Sequence, residues 1–226
     1  MEYRDAAQIQ RLIGLGRYTE AEAILIAAHA GRKAAGGEPF EEVLQLLASL
    51  FSAKGNRNLE RAESYHLERE RLRPDSLNKW MTAHFYLNTG QLRKAIDKVS
   101  EVHFAAREDD DEDSVVCDRH NYYSCVALKG QALIQLGSIP EAQSVIEELI
   151  ALVRGNPVRV QLRSGMNVNP LAFGDEMDLM QAAIAIPELR PVAKELLELV
   201  TPRIREEEAR ERGRRYLSEL KSLHSV

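Results

Sequence analysis

Cysteine is nearly absent from this chain of 226 residues, which contains only Cys117 and Cys125. Two cysteines do not make a disulfide framework. If both lie on one helix, their eight-residue separation places the Cα atoms about 12 Å apart. A disulfide needs Cα atoms within about 7 Å of each other, so these two cannot be joined. We therefore expect reduced thiols and a cytoplasmic location.

Long apolar runs are also missing. No segment approaches the ~18 apolar residues of a membrane span, and residues 1–5 lead into no apolar signal core. The formal charge of −5 is mild, and binding to nucleic acid usually needs a concentrated basic surface. We expect a protein that is neither secreted nor membrane-embedded, and that has no nucleic-acid partner.

Aromatic residues are scarce, at 6% of the chain, whereas leucine, alanine, glutamate and arginine are plentiful. This mixture favours helices over sheets. The hydrophobic fraction of 44% and the charged fraction of 29% are typical of a soluble folded protein rather than a disordered one. The composition therefore predicts an all-α fold.

Glycine is infrequent, but its placement is regular. Four glycines are each followed by an alanine at the start of an apolar helix: Gly16…Ala21, Gly55…Ala62, Gly90…Ala95 and Gly137…Ala142. Glycine accepts the left-handed geometry of a helix C-cap without steric cost. Together with the helical spacing of apolar residues, these turns predict helices over about 4–15, 19–35, 40–54, 58–72, 76–90, 92–107, 114–136 and 139–154.

The best-preserved hairpin surrounds Gly130 and Gly137, which stand seven residues apart. Ala142 follows five residues later, and Ile146 and Leu149 take the next apolar places. This pattern resembles the tetratricopeptide repeat, a helix–turn–helix unit of 34 residues. The resemblance implies an α-solenoid of stacked antiparallel helix pairs; the alternative is a generic helical bundle. It also implies that the first glycine lets the two helices of a unit approach.

The resemblance extends, with weaker matches, over residues 2–156. We therefore predict a repeat domain of about four hairpins over 1–156, and a C-terminal helical extension or cap over 157–226. Residues 36–40 and the acidic run 108–113 interrupt the period, and like-charge repulsion favours a solvated loop for the acidic run.

The C-terminal third has a different pattern. Alternating residues 158–162 are strand-like and form either a hairpin with 166–168 or an extended loop. Helices are predicted from Asp175 to about Ile186 and through residues 192–200. The last helix has opposite charges four residues apart, which favour an exposed, self-paired helix. Its apolar stripe either docks back on the fold or supports a homo-oligomer. The opposite-charge pairs are Arg203–Glu207, Glu206–Arg210, Glu208–Arg212 and Glu211–Arg215.

Motifs for catalysis and cofactor binding are missing. There is no phosphate-binding loop or nucleophile elbow. The acidic run lacks the glycine and final glutamate of a calcium loop, with Ser114 and His120 in their places. Cys117 and His120 lack a second ligand pair for zinc. We expect no enzyme, no metal and no cofactor.

The resemblance implies a concave groove lined by the first helix of each unit. The groove side chains would then be Tyr3, Gln10, Gln45, Ser49, Trp80, His84, Asn88, Ser124, Gln131 and Gln135. Family members that grip C-terminal carboxylates use lysines and an arginine there, and this set has neither. Uncharged polar groups around one tryptophan suit a peptide held by backbone hydrogen bonds with an aromatic anchor. Alternatively, Trp80 packs between units.

Three functions follow from these patterns. The leading hypothesis is a non-enzymatic scaffold or adaptor that binds a peptide or helix of another protein in the groove. The second is a regulatory or enzymatic protein with a small-molecule or metal site in residues 159–175, which gather Arg163, Asn167, Asn169 and Asp175. The third is a structural oligomer held through the last helix.

Overall fold

The computed structural model describes residues 3–53, 57–102, 112–155, 160–161, 167–168, 174–204 and 207–223. The protein is all-α, as the composition predicts; the described strands are one antiparallel pair of two residues each. The chain divides into two compact units, residues 1–85 and residues 86–226.

The first unit is built around one central helix. Helix α3 packs against three neighbours, so Leu44, Leu47 and Phe51 are buried. Its side chains that remain fully exposed are Glu42, Gln45 and Ser49, which form a stripe one residue wide. The helices of this unit are α1 (Tyr3–Gly14), α2 (Tyr18–Ala34), α3 (Glu41–Ser52), α4 (Leu59–Leu72) and most of α5 (Ser76–Asn88).

The second unit is a larger helical assembly with one continuous apolar core. Its helices are α6 (Leu92–Ser100), α7 (Glu112–Gln135), α8 (Ile139–Gly155), α9 (Gly174–Ile184), α10 (Arg190–Val200) and α11 (Glu207–Leu223). Strands β1 (Val160–Gln161) and β2 (Asn167–Val168) pair in register Val160↔Val168. Short 3₁₀ turns at Pro187–Leu189 and Thr201–Arg203 lie on either side of α10.

Three helix–helix turns share one hydrogen-bonding pattern. After α7, Gly137 has a φ of 75°; its N–H donates to Ile134 O at 3.0 Å, and the Ser138 N–H donates to Leu133 O at 2.9 Å. These two bonds satisfy the last carbonyls of the helix. The Ala142 N–H then donates to Ser138 O at 3.0 Å, which starts the next helix. The same bonds recur at Gly16–Arg17–Ala21 and Gly90–Gln91–Ala95.

The predicted role of the glycines and alanines is confirmed at these three turns. Gly16 and Gly90 have φ values of 73° and 77°, and the four alanines of the pattern are all buried: Ala21, Ala62, Ala95 and Ala142. Gly55 lies outside the described residues. At that turn the Asn58 side chain caps α4 by accepting from the Arg61 N–H at 3.2 Å.

Gly130 serves a contact that the sequence did not predict. A Cβ at this position would lie 2.8 Å from Leu179 Cδ1 of α9, but 3.4 Å from Val145 Cγ1 of α8. The tighter approach is therefore to α9 rather than to the partner helix of the same hairpin.

The ends of α6 and α7 differ from prediction. Helix α6 ends at Ser100 rather than near residue 107, and α7 begins at Glu112 rather than Ser114. The last two acids of the acidic run therefore belong to a helix rather than to a loop. Residues 103–111 lie outside the described part of the chain.

The last helix docks back on the fold. Tyr216 and Leu220 of α11 are buried in the core of the second unit, against α9 and α10. The predicted pair of Glu208 with Arg212 is wrong, because Arg212 reaches across to α9 and donates to Asp178 Oδ1 at 2.6 Å. The predicted pairs Arg203–Glu207 and Glu206–Arg210 each involve a side chain outside the described part of the chain, and among the described residues Glu211 and Arg215 form no ion pair with each other. Arg210 instead pairs with Glu207, one turn earlier.

The predicted domain boundary at residue 156 stays a prediction. Helix α8 before it packs against α10 after it, and Arg154 pairs with Glu195 at 2.7 Å. The helices on the two sides of residue 156 therefore share one core. No helix in the described segments has the length and apolar character to cross a bilayer.

Candidate functional site

One face of α5 carries the most distinctive side chains of the first unit. Leu77, Trp80, Met81 and His84 follow helical spacing and so share a face. Leu77 is 41% exposed, and the other three are half-buried. The Trp80 and His84 rings have centroids 5.5 Å apart and planes tilted by 36°. This α5 face therefore combines apolar surface with a polar ring.

Two side chains of helix α4 contact side chains of α5. The Arg69 guanidinium contacts the Met81 sulfur, and the His66 ring lies 4.8 Å from the Phe85 ring. His66 and Arg69 are three residues apart and so project from the same side of α4. Met81 of the α5 face and the adjacent Phe85 are thus held by contacts with a neighbouring helix.

His66 is neutral at physiological pH. Burial lowers the pKa of its imidazole to about 4, and the nearby charges of Arg69 and His84 act in the same direction. Its Nδ1 has no hydrogen-bond partner among the residues that are described. A second proton would therefore be placed in an apolar contact with Phe85, which disfavours it.

Arg69 is a buried cation that the sequence did not single out. It is 1% exposed, and within the described ranges its Nε and Nη1 have no hydrogen-bond partner. Burial lowers its pKa, while the carboxylates of Glu41 and Asp75 oppose that change. Both carboxylates are bound by Arg73, at 3.0 and 3.1 Å. In sequence, Arg69 looks like one more solvated charge on a highly charged helix.

The predicted groove residues on α1 and α3 are accessible. Gln10, Gln45 and Ser49 are exposed, and α1 packs beside α3. The side chain of Tyr3 lies outside the described part of the chain. The first unit thus offers uncharged hydrogen-bonding groups on two adjacent helices.

The predicted groove residues of the second unit are less available. Asn88 and Gln135 are exposed, but Ser124 is only 4% exposed. Gln131 donates from Nε2 to the Asp175 carbonyl oxygen of α9 at 2.8 Å. Because α9 packs on α7, the α7 positions 124 and 131 offer little surface to a partner.

The segment 159–175 is only partly described. Residues 160–161 and 167–168 form the strand pair, which favours a hairpin over an extended loop. Arg163 and Asn169 lie outside the described residues. Asp175 is in the first turn of α9, where its carbonyl oxygen accepts from Gln131.

Glu176, the next residue, was not among the predicted site residues. It is 2% exposed, and neither carboxylate oxygen accepts a hydrogen bond from another residue in the described parts of the chain. Burial raises its pKa to about 8, and the charge of Asp175 adds to this. In sequence it looks like a favourable acid in a helix first turn, so no signal could have revealed its burial.

Potential metal ligands are dispersed. Cys125 is a buried thiol on α7, and the side chain of Cys117 on the same helix is outside the described residues. The described side chains contain no group of three or more His, Cys, Asp or Glu residues that could hold a metal ion.

The arrangement can bind but offers no assembled nucleophile or metal centre within the residues described above. Its accessible chemistry is an aromatic and apolar face on α5 with amide and hydroxyl groups on α1 and α3. Comparison of the chain with family models, with curated proteins and with solved structures gives no match.

Proposed function

We propose that this protein is a tetratricopeptide-like α-solenoid that acts as a scaffold or adaptor. It binds a peptide or helix of a partner protein through the outward faces of its first helices. In the first unit the central contact is the α5 face, with Trp80 as the aromatic anchor.

The repeated turn is the observation that carries this proposal. Three helix pairs are joined by the same glycine-centred bonds, and each is followed by a buried alanine. Helix α3 packs on both helices of the preceding pair, and α9 packs on α7 while α10 packs on α8. Contacts between successive pairs of this kind are typical of stacked hairpins.

The contacts that restrain Trp80 and Met81 favour a binding role for the α5 face over a purely structural one. Aromatic anchors contribute most when their side chains are held in place before the partner arrives. Trp80 and Met81 are restrained by His84 and by Arg69. The exposed amides Gln10 and Gln45 suit the backbone of an extended peptide.

A displayed peptide library selected against the full chain tests the proposal. We expect the selected peptides to bind the wild-type protein, and the double variant Trp80→Ala with His84→Ala to bind them at least about thirtyfold more weakly, because a buried aromatic anchor is worth about 2 kcal/mol or more.

Phe40→Ala is the matched control, because Phe40 is an aromatic side chain of the same unit that is 42% exposed. Its affinity for the peptides should be unchanged, and all variants should keep the wild-type circular dichroism. Peptides that bind the double variant as tightly as the wild type would overturn the groove assignment.

Glu176 favours a second candidate function. A buried carboxyl with a raised pKa is common at catalytic and regulatory sites, and this one follows the segment 159–175. Native mass spectrometry with elemental analysis tests for a small molecule or metal held there. A protein that carries neither would contradict this alternative.

The proposal includes a cytoplasmic location, which is supported by the buried thiol of Cys125. It assigns α11 as a cap, because its inner side chains complete the core while its outer face is charged. Oligomerisation through α11 is the weaker alternative, because Tyr216 and Leu220 are already buried within the chain.

A further inference from the structure

A cavity of about 200 Å³ opens in the second unit at the end of α6. Its lining residues come from α6, from the residue that follows the end of α6 by two, from α7 and from α8. Residues Val99 and Val102 line one side and Val126 of α7 lines another. This site is independent of the α5 face.

The cavity is lined by two opposite charges that do not neutralise each other. Lys129 is half-buried at its wall, and the part of the chain that is described gives it no ion pair or hydrogen bond. Glu148 is exposed at the same cavity. One of its oxygens, Oε1, accepts a hydrogen bond from the Tyr122 hydroxyl at 3.1 Å, which fixes the carboxylate in place.

The volume limits what can bind. About 200 Å³ corresponds to roughly seven waters at about 30 Å³ each. Sites for drug-sized ligands and cofactors span roughly 300–1,000 Å³, so this cavity is smaller than is usual for a nucleotide or a larger cofactor. A molecule the size of leucine fits.

We propose that this cavity binds a free α-amino acid with an aliphatic side chain. The ligand carboxylate pairs with the Lys129 ammonium and the ligand ammonium faces Glu148. The aliphatic side chain packs against the three valines. A ligand with both charges on an apolar body uses both charges and the valines of the lining, whereas a simple acid or a simple amine leaves one protein charge without a partner.

Isothermal titration of the full chain with L-leucine tests this proposal. The comparison ligands are 4-methylpentanoate, which lacks the amine, and 3-methylbutylamine, which lacks the carboxylate. We expect L-leucine to bind, and each comparison ligand to bind at least about tenfold more weakly because it loses a charge-assisted hydrogen bond.

Lys129→Gln should also weaken L-leucine binding by about tenfold or more. Lys194→Gln is the control, because Lys194 lies on α10 and is paired with Glu198; its affinity should equal that of the wild type. Both variants remove an accessible lysine, and their thermal unfolding shows whether they fold. Absence of L-leucine binding, or equal affinity of wild type and Lys129→Gln for L-leucine, would overturn the proposed site.

Equal binding of 4-methylpentanoate and L-leucine would overturn the assignment of the ligand as an amino acid.

Discussion

Glu176 is the residue whose environment departs furthest from what its position in the sequence indicates. Its neighbours Asp175 and Asp178 are solvent-accessible acids of the same helix, and a sequence reader has no reason to separate it from them. The burial of Glu176 depends on how α9 packs in the second unit, and no local sequence pattern encodes that packing. Arg69 shows the same limit, because only the packing of α4 turns it inward.

The first prediction concerns the stability of Glu176→Gln. Burial raises the folded pKa of this carboxyl to about 8 from its ordinary value of 4.5, so folding favours the protonated form. The contribution of Glu176 to the free energy of unfolding should therefore be fully present below about pH 4.5 and should be lost as the pH rises to about 8. At pH 7 the variant should be more stable by about 3 kcal/mol, since each pKa unit is worth about 1.4 kcal/mol.

Urea unfolding of both proteins at pH 4.5 and pH 7 measures this difference. Glu188→Gln is the control, because Glu188 is exposed near the same helix, and it should change stability little at either pH. Equal stabilities of wild type and Glu176→Gln at pH 7 would mean that the carboxyl is solvated in solution.

At the scale of elements, the turns were readable from sequence and the contacts between helices were not. Glycine followed by alanine five residues later marked three turns correctly, because a left-handed backbone position selects for glycine. Gly130 is close-packed, as the resemblance implies, and it lies near α8; the still closer approach to α9 was not predicted, because no local pattern shows which later helix packs there.

Two glycines separated by one residue test the turn. Gly16 has a φ of 73°, whereas Gly14 ends α1 without a positive φ, and a Cβ meets no atom within 4 Å at either position. Gly16→Ala should lower the free energy of unfolding by about 1–2 kcal/mol, because the left-handed conformation is costly for alanine. Gly14→Ala should be neutral or stabilising by up to about 1 kcal/mol. Chemical denaturation of the two variants gives the comparison, and similar effects would contradict a backbone origin.

The docking of α11 can be tested through Gly213. A Cβ there would lie 2.5 Å from Thr201 Oγ1, and Thr201 is buried, so Gly213→Ala must shift α11 or the 3₁₀ turn before it. We expect a loss of about 1–3 kcal/mol and faster amide hydrogen exchange along α11. Gly31→Ala in α2 meets open space and should gain up to about 1 kcal/mol. Unchanged exchange in α11 would argue against the docked position.

At the scale of the whole molecule, the sequence placed one boundary near residue 156, whereas the contacts divide the chain at residues 85 and 86. The sequence boundary followed a change of pattern. Compactness depends instead on which helices share a core, and α7 to α11 share theirs.

The two units should respond to pH in opposite directions. His66 in the first unit has its pKa lowered to about 4 from 6.5, so the stability that its neutral form gives is present above about pH 6.5 and is lost as the pH falls to about 4. Glu176 in the second unit has the opposite dependence. A change from pH 9 to pH 4.5 should therefore destabilise the first unit relative to the second.

Trp80 is the sole tryptophan of the sequence, so its fluorescence reports the first unit while circular dichroism reports all helices. On heating, the fluorescence transition should move to lower temperature relative to the main loss of helix when the pH is changed from 9 to 4.5. His66→Phe should remove the acid effect. Coincident transitions at both pH values would mean that the chain unfolds as one cooperative body.

The three identical turns have a consequence for how such a chain can evolve. At Gly16, Gly90 and Gly137 the backbone dictates one residue type, and packing restricts one alanine position five residues later; the bonds themselves run between main-chain atoms. This sequence requirement does not apply to positions such as Gln45 and Trp80. Selection can therefore change the outward surface by point substitution while the architecture is inherited unchanged, and duplication of a hairpin would lengthen that surface without the need for a new type of connection.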